Sequence, residues 1–369
     1  MILIKKTILV FGLRGFPNIQ GGIETHCQQL FPRLVKYGYE ITLLGRRPYT
    51  GKKPYDYNGV NVVPVFSPKK RSLEALIHTF LCCLITIVKR PSIVHIHAIG
   101  PSFFIPFLRL FGFKVIATHH GFDYHRAKWG RFARWFLKTG ERNMCSANAV
   151  ISISTHITEF LDLEYSKKAY QIPNGVVLPQ ILPSGEYCKK WKLKKGNYVL
   201  FCGRFVPEKN IHDLIEAFKG INTDWKLVIA GDADHEDEYS LRIKQERDTP
   251  NIVLTGFITG VELQELYSNA GCFVLPSSHE GLPIALLEAL SYGLHCVASD
   301  IPANRGIGHH SIIYFPVHDI QELRGSIDEI IKTEKNVDHN SLREFINEHF
   351  NWDYIASETA KIYDSISKK

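Results

Sequence analysis

Short apolar runs alternate with longer stretches of helical period along the whole chain. In the first half the runs fall at residues 7–12 (TILVFG), 40–45 (EITLLG), 60–65, 93–97 (IVHIH), 114–118 (KVIAT), 149–153 and 169–172. Their near-continuous hydrophobicity predicts strands buried on both faces, as in a parallel sheet. The period between them predicts helices near 22–37, 73–89, 101–111, 129–145 and 155–162. The second half repeats this grammar, with strands at 198–203, 225–230, 252–255, 272–275, 295–298 and 311–314, and helices at 210–218, 237–247, 260–269, 283–292 and 320–331. Such alternation predicts two doubly wound, Rossmann-like α/β domains, over 1–178 and 179–350. Residues 173–196, rich in Pro, Gly and Lys, read as the linker. The closing stretch, 351–369, has helical period; nothing local fixes which domain receives it, and return to the first is one option. Open α/β sheets bind ligands beyond the carboxyl ends of their strands, so two facing domains predict a cleft there.

Composition narrows the picture by exclusion. The chain has 369 residues, enough for two cores without staples. Its eight cysteines are scattered with no C-x-x-C pair, which argues against a disulfide framework or a zinc knuckle and for reduced thiols in a cytoplasmic protein. The N-terminal apolar run ends in a Gly-rich loop and reads as a first core strand, not a signal peptide. The greasiest run, 79–88, is half of the ~20 residues a membrane-spanning helix needs. Charge is unevenly placed. Residues 1–178 carry 24 Lys and Arg against 9 Asp and Glu, whereas the remainder is acidic and the whole chain sums to +7. A basic half suits an anionic acceptor or membrane surface.

Candidate chemistry concentrates after the strand CFVL, in SSHEGLPIALLEALSYG. Pro283 favours a helix start, whose free N–H groups and positive dipole end make an anion site at the sheet's mouth. Glu280 precedes that helix and Glu288 lies within it; carboxylates accept from sugar hydroxyls, so the set suits a ligand with both hydroxyls and phosphates. A second set, GRFVPEKN at 203–210, supplies Arg204 and Lys209, cations suited to a leaving diphosphate. Asp232-x-Asp234 imitates a metal-binding pair, but it reads as a helix start after a strand, and no metal is expected.

With Pro276, Ser277, Glu280, Gly281 and Glu288 in this arrangement, the chain resembles glycosyltransferase family 4, retaining enzymes of the GT-B fold, with two Rossmann-like domains facing a cleft. The resemblance implies a nucleoside diphosphate sugar as donor, a glycan or lipid-linked acceptor, a role in cell-surface polysaccharide synthesis and no cofactor. It implies that Glu280 meets the transferred sugar, that Glu288 meets the ribose, and that the backbone at Gly281, Leu282 and Pro283 approaches the sugar and diphosphate. Arg204 and Lys209 then hold the diphosphate.

The first half offers a Gly-rich loop without the dinucleotide pattern, so NAD is not expected. Gly21 and Gly22 match the family's cleft loop, whereas Glu24 also fits a plain first-turn helix acid. In ATHHGFDYHRAKWG, His120 before Gly121 matches the family's histidine near the reacting centre, and Asp123 fits orienting it or binding acceptor. His95, His97 and His119 read better as packed histidines. Residues 125–142 interleave Arg126, Lys128, Arg131, Arg134, Lys138 and Arg142 with aromatics including Trp129, with Lys69, Lys70 and Arg71 adding charge. That pattern suits an acceptor, or an anionic membrane at whose inner face the protein would sit peripherally. Arg126 and Trp129 join Asp123 as acceptor candidates. Nothing reads as a nucleic-acid module. A GT-B sugar-nucleotide epimerase and a non-catalytic sugar-nucleotide or membrane binder remain as other classes on the same motifs.

Overall fold

The structure is a computed structural model that describes residues 6–68, 73–125, 129–333 and 339–367. It divides into two units: one runs to Asn174 and takes back the chain from Trp352, and the other spans Gly175–Asn351.

The first unit is built on strands β1 (Thr7–Phe11), β2 (Glu40–Arg46), β3 (Tyr55–Tyr57), β4 (Val60–Val65), β5 (Ile93–His97), β6 (Val115–His119), β7 (Ala149–Ser152) and β8 (Tyr170–Gln171), in the order β3-β4-β2-β1-β5-β6-β7-β8. All pairings are parallel except that of β3 with β4. The central strands carry side chains that both faces bury, as their unbroken hydrophobicity requires. On one face the Gly22–Lys36 helix buries Cys27, Leu30, Phe31 and Leu34, and the C-terminal Trp352–Ser367 helix packs beside it. Tyr363 of that helix reaches His95 Nδ1 at 2.6 Å, and the Trp352 ring meets the His26 ring edge to face at 5.3 Å. No helix among the described residues is long and apolar enough to cross a membrane.

The second unit has an all-parallel sheet of β9 (Tyr198–Cys202), β10 (Lys226–Ala230), β11 (Ile252–Gly256), β12 (Cys272–Leu275), β13 (His295–Ser299) and β14 (Ile312–Phe315), ordered β11-β10-β9-β12-β13-β14. Order reverses at β9, so the loops leaving β9 and β12 emerge side by side, the switch point at which such sheets bind ligands.

The boundary between the units falls inside the segment expected to be a linker, and from Gly175 on that segment is part of this unit. Val176 donates its N–H to Phe350 O, and the backbone N–H groups of Gly185 and Cys188 both donate to Glu265 Oε1, at 2.9 and 2.6 Å. Tyr187, Cys188 and Leu193 are buried beneath it. Its Pro, Gly and Lys content belongs to a surface strap, pinned by a carboxylate that composition could not reveal.

Candidate functional site

Two clusters hold the residues singled out by the sequence, one in each unit. In the second unit, β9 leads into the 203–210 loop and β12 into the 276–283 loop. The loops are tied together: Ser278 N–H donates to Glu208 O at 2.9 Å, Asn210 Nδ2 donates to Pro276 O at 3.0 Å, and Lys209 Nζ pairs with Glu280. Asn210 is 2% exposed and left-handed at φ 47°, a conformation Asn tolerates. It lets the chain turn sharply from the Pro207–Lys209 turn into the Ile211–Lys219 helix. Arg204 Nη1 donates to Asp234 Oδ2 at 3.0 Å, and Asp232 pairs with Lys244 at 2.9 Å. Both aspartates of the D-x-D therefore already face cations.

The helix of this cluster spans Ile284–Ser291, with Pro283 as its N-cap at ψ 108° and not, as expected, its first helical residue. Gly281 and the buried Leu282 lead into it, and no side chain caps it. Leu286 and Leu287 donate their N–H groups to Pro283 O, so the helix offers an anion the N–H groups that precede them, at Ile284 and Ala285. Glu280 stands before this terminus. Glu288, one turn on, accepts from Tyr267 Oη at 3.3 Å.

Burial pushes the Glu288 carboxyl up to about 7, against the small opposing pull of the Tyr267 hydrogen bond. The folded state then holds a proton that the unfolded chain releases near 4.5, so stability falls as pH rises from about 4.5 through 7. Glu288→Gln removes that penalty. With some solvent access discounted, we expect the variant to be about 2 kcal/mol more stable than wild type at pH 8 and equal to it at pH 4.5. Urea midpoints at the two pH values test this, and an equal difference at both would overturn it.

In the first unit, β1 leads into the Gly-rich loop. Gly12 sits at φ 109°, and a Cβ there would lie 2.1 Å from His97 O, so the loop needs glycine to pass the end of β5. At Gly21, φ 155°, a Cβ would meet the Glu24 side chain, 2.1 Å from Oε2. Gly22 opens the helix and has open space around it. Glu24 is bound by Arg14 through the backbone N–H and Nε, both at 3.1 Å. Burial raises this carboxyl, but the charge and hydrogen bonds of Arg14 override it and hold the group below its ordinary value. Glu24 is therefore a clamp on the loop.

His120, at the end of β6, shares a 2.9 Å hydrogen bond with His97 Nδ1 through its Nε2, and His26 meets it edge to face at 4.9 Å. Asn174 Oδ1 holds His26 Nδ1 at 2.9 Å. Burial, then the neighbouring histidines, pushes His120 and His97 well below the ordinary range; burial takes His26 to about 4 and His95 to about 3. These rings are neutral at physiological pH, so His120 acts as a neutral hydrogen-bonding group. Ring nitrogens of His26, His97 and His120 all lie within 4.8 Å of one another, the one such set among the described residues with room for a metal ion.

His119 points to the other side of the strand, where its Nε2 donates to the buried Glu141 at 2.9 Å. Asp123 lies in a short turn after Gly121, and Trp129 is half-buried ahead of the Arg131–Met144 helix. His97 is a partner of His120. Arg126 and Lys128, like Lys69, Lys70 and Arg71, lie outside the described residues. Sequence reasoning missed His26, Asn174, Asn210, Tyr267 and Glu141. Asn210 stood in a quoted motif and Asn174, before Gly175, reads only as a turn; no local signal gave the others a role.

Residues 20–179 match the family model described as Glycosyltransferase Family 4, and residues 185–349 that described as Glycosyl transferases group 1. The uncharacterized glycosyltransferase MJ1607 of Methanocaldococcus jannaschii is 25% identical over 377 residues, covering 94% of this chain and 95% of that protein. The GDP-mannose:cellobiosyl-diphosphopolyprenol alpha-mannosyltransferase of Xanthomonas campestris is 28% identical over 226 residues, 58% of this chain and 57% of that one. Among solved structures, Anabaena HepE in complex with UDP-glucose superposes with a TM-score of 0.78 at 15% identity, covering 97% of this chain and 99% of that one.

Proposed function

From the premise that the chain belongs to the GT-B glycosyltransferases of family 4, we propose that it is a retaining enzyme of cell-surface polysaccharide synthesis. It moves a hexose or deoxyhexose from a nucleoside diphosphate sugar to a glycan or lipid-linked acceptor. One observation carries the donor reading: the bonded 203–210 and 276–283 loops gather Arg204, Lys209, Glu280 and an uncapped helix start at one sheet mouth. That set supplies cations for phosphate and carboxylates for hydroxyls, in separate places. The likeness to relatives that handle GDP-mannose and UDP-glucose supports the same donor class.

Lys209 pairs with Glu280 and Arg204 with Asp234. A diphosphate competes for both cations, and as Lys209 turns to it, Glu280 is released to accept from the sugar's hydroxyls. Glu288 accepts from the ribose. As the bond from C1 to the phosphate oxygen breaks, the cations and the helix start at Pro283 stabilise the departing charge. The acceptor hydroxyl attacks on that same face and its proton passes to the departing phosphate. In the first unit, neutral His120 is the group the family resemblance assigns to a sugar oxygen, and Gly21 and Gly22 are the backbone positions it assigns to substrate. The cations Arg204 and Lys209 support the leaving group in this reading, which needs no metal ion.

The test is a panel of UDP-, GDP- and other nucleotide sugars, scored for nucleoside diphosphate release with and without glycan and polyprenol-linked acceptors. Release that requires acceptor, unchanged by a chelator, is expected. Interconversion of sugars without acceptor identifies an epimerase, and binding without turnover a non-catalytic binder; either overturns the reading.

A further inference from the structure

The Glu74–Lys89 helix of the first unit is apolar nearly all round and keeps part of that surface in water. Its buried side carries Glu74, His78, Thr79, Cys82, Cys83 and Thr86, while Leu76, Phe80, Leu84 and Val88 form a ridge every fourth residue on its exposed side. Val88 is 83% exposed. The buried threonines satisfy themselves by donating to carbonyls of their own helix, at 2.7 and 2.8 Å. Water gains nothing from a helix arranged this way, because the apolar ridge stays wet while polar groups occupy the core side.

The ridge does not stand alone. Phe80 meets Phe104 at 6.3 Å, Phe104 meets Phe103, and Phe103 stacks on Phe136 of the Arg131–Met144 helix at 4.4 Å. That second helix exposes Phe132 and Trp135, their rings 5.6 Å apart, beside exposed Arg131, Arg134 and Lys138. Leu110, the last residue of the Ile105–Leu110 helix, is 86% exposed. The result is one apolar face bordered by charge. Over residues 73–90, 101–113 and 129–145 the only carboxylates are Glu74 and Glu141, both buried, so every exposed charge is a cation.

We propose that this face of the first unit docks on an anionic lipid bilayer, with Phe80, Leu84, Val88, Phe132 and Trp135 at the acyl boundary and the flanking cations at the headgroup phosphates. Apolar and aromatic side chains backed by cations suit the membrane interface. A second copy of the chain is disfavoured as occupant, because it would bring the same cations against themselves. Docking has a consequence for the site in the same unit. The helix that presents Phe132 and Trp135 outward holds His119 inward through Glu141, next to His120. The inference stands apart from the donor chemistry: vesicle binding can fail while acceptor-dependent release persists, and the reverse.

The full chain is sedimented with phosphatidylglycerol-containing vesicles and with pure phosphatidylcholine vesicles. Binding to the anionic vesicles alone is expected. Phe80→Ser/Leu84→Ser/Val88→Ser is expected to lower it by at least about tenfold, and Arg131→Gln/Arg134→Gln by about fivefold per charge. The glutamine variant should keep the wild-type melting temperature, and the serine variant, which loses the Phe80–Phe104 contact, should stay folded at the assay temperature by circular dichroism. Equal binding by the serine variant, or equal binding to both vesicle types, overturns the proposal. So does a concentration-dependent dimer that the serine variant dissociates, which would make a second copy the occupant.

Discussion

Glu280→Ala is expected to lower the transfer rate by about a hundred- to a thousandfold while leaving nucleoside diphosphate affinity equal to wild type or tighter. The asymmetry follows from the Lys209–Glu280 pair. Removing the carboxylate takes away the acceptor of the sugar's hydroxyls but frees Lys209 for phosphate. Lys209→Ala is expected to do the converse, weakening nucleoside diphosphate binding by about tenfold or more, because a charge-assisted contact disappears. It also leaves Glu280, whose side chain is 12% exposed, without its cation. The double variant should therefore recover part of the cost of Lys209→Ala, as expected of partners in one network. Calorimetry with the diphosphate alone separates these effects from turnover. Full transfer by Glu280→Ala removes Glu280 from the site, and equal diphosphate affinities for the two single variants remove the resting pair from the mechanism.

The donor half was legible because its signals are local. Glu280, Glu288 and the Pro283 helix start lie within one strand–loop–helix unit, and Arg204 and Lys209 within another. What ties the two units, the Asn210 and Ser278 hydrogen bonds, joins residues about 70 positions apart and has no signature in period or spacing. The same holds for His26, which on its helix looked like any polar residue and meets His97 and His120 only through sheet order. Strands in the sheet interior read clearly from unbroken apolar runs. The antiparallel Tyr55–Tyr57 edge was too short to show a period, and the His339–His349 helix too polar, burying only Leu342 and Ile346. The Glu74–Lys89 helix shows a different limit. Its period marked a helix, but it is apolar nearly all round, so hydrophobicity alone does not say which side packs inward.

Glu141→Ala is expected to destabilise the first unit by about 3–5 kcal/mol, the largest stability effect we anticipate outside the hydrophobic core. Glu141 is 1% exposed and accepts three hydrogen bonds: from His119 Nε2 at 2.9 Å, Tyr124 Oη at 3.1 Å and Tyr165 Oη at 3.0 Å. Burial, followed by the carboxylate's own charge, pushes both phenols above their ordinary range, so they stay protonated and keep donating. On the far side of its ring, His119 accepts the Gly121 N–H at 3.2 Å, so its Nε2 is the nitrogen that carries the proton toward Glu141. Every group in this cluster has one role, and truncation at the centre leaves three buried donors unpaired. The turn that follows carries His120, so loosening His119 also moves the candidate reacting centre. Glu141→Gln keeps the shape and one acceptor, and with a phenol oxygen turned to accept from its amide it should restore part of the stability and the turnover. Faster amide exchange in the 118–121 turn for Glu141→Ala, reversed in Glu141→Gln, marks Glu141 as a positioning residue. Should both variants exchange and turn over as wild type does, the network would hold neither the turn nor the helix behind it.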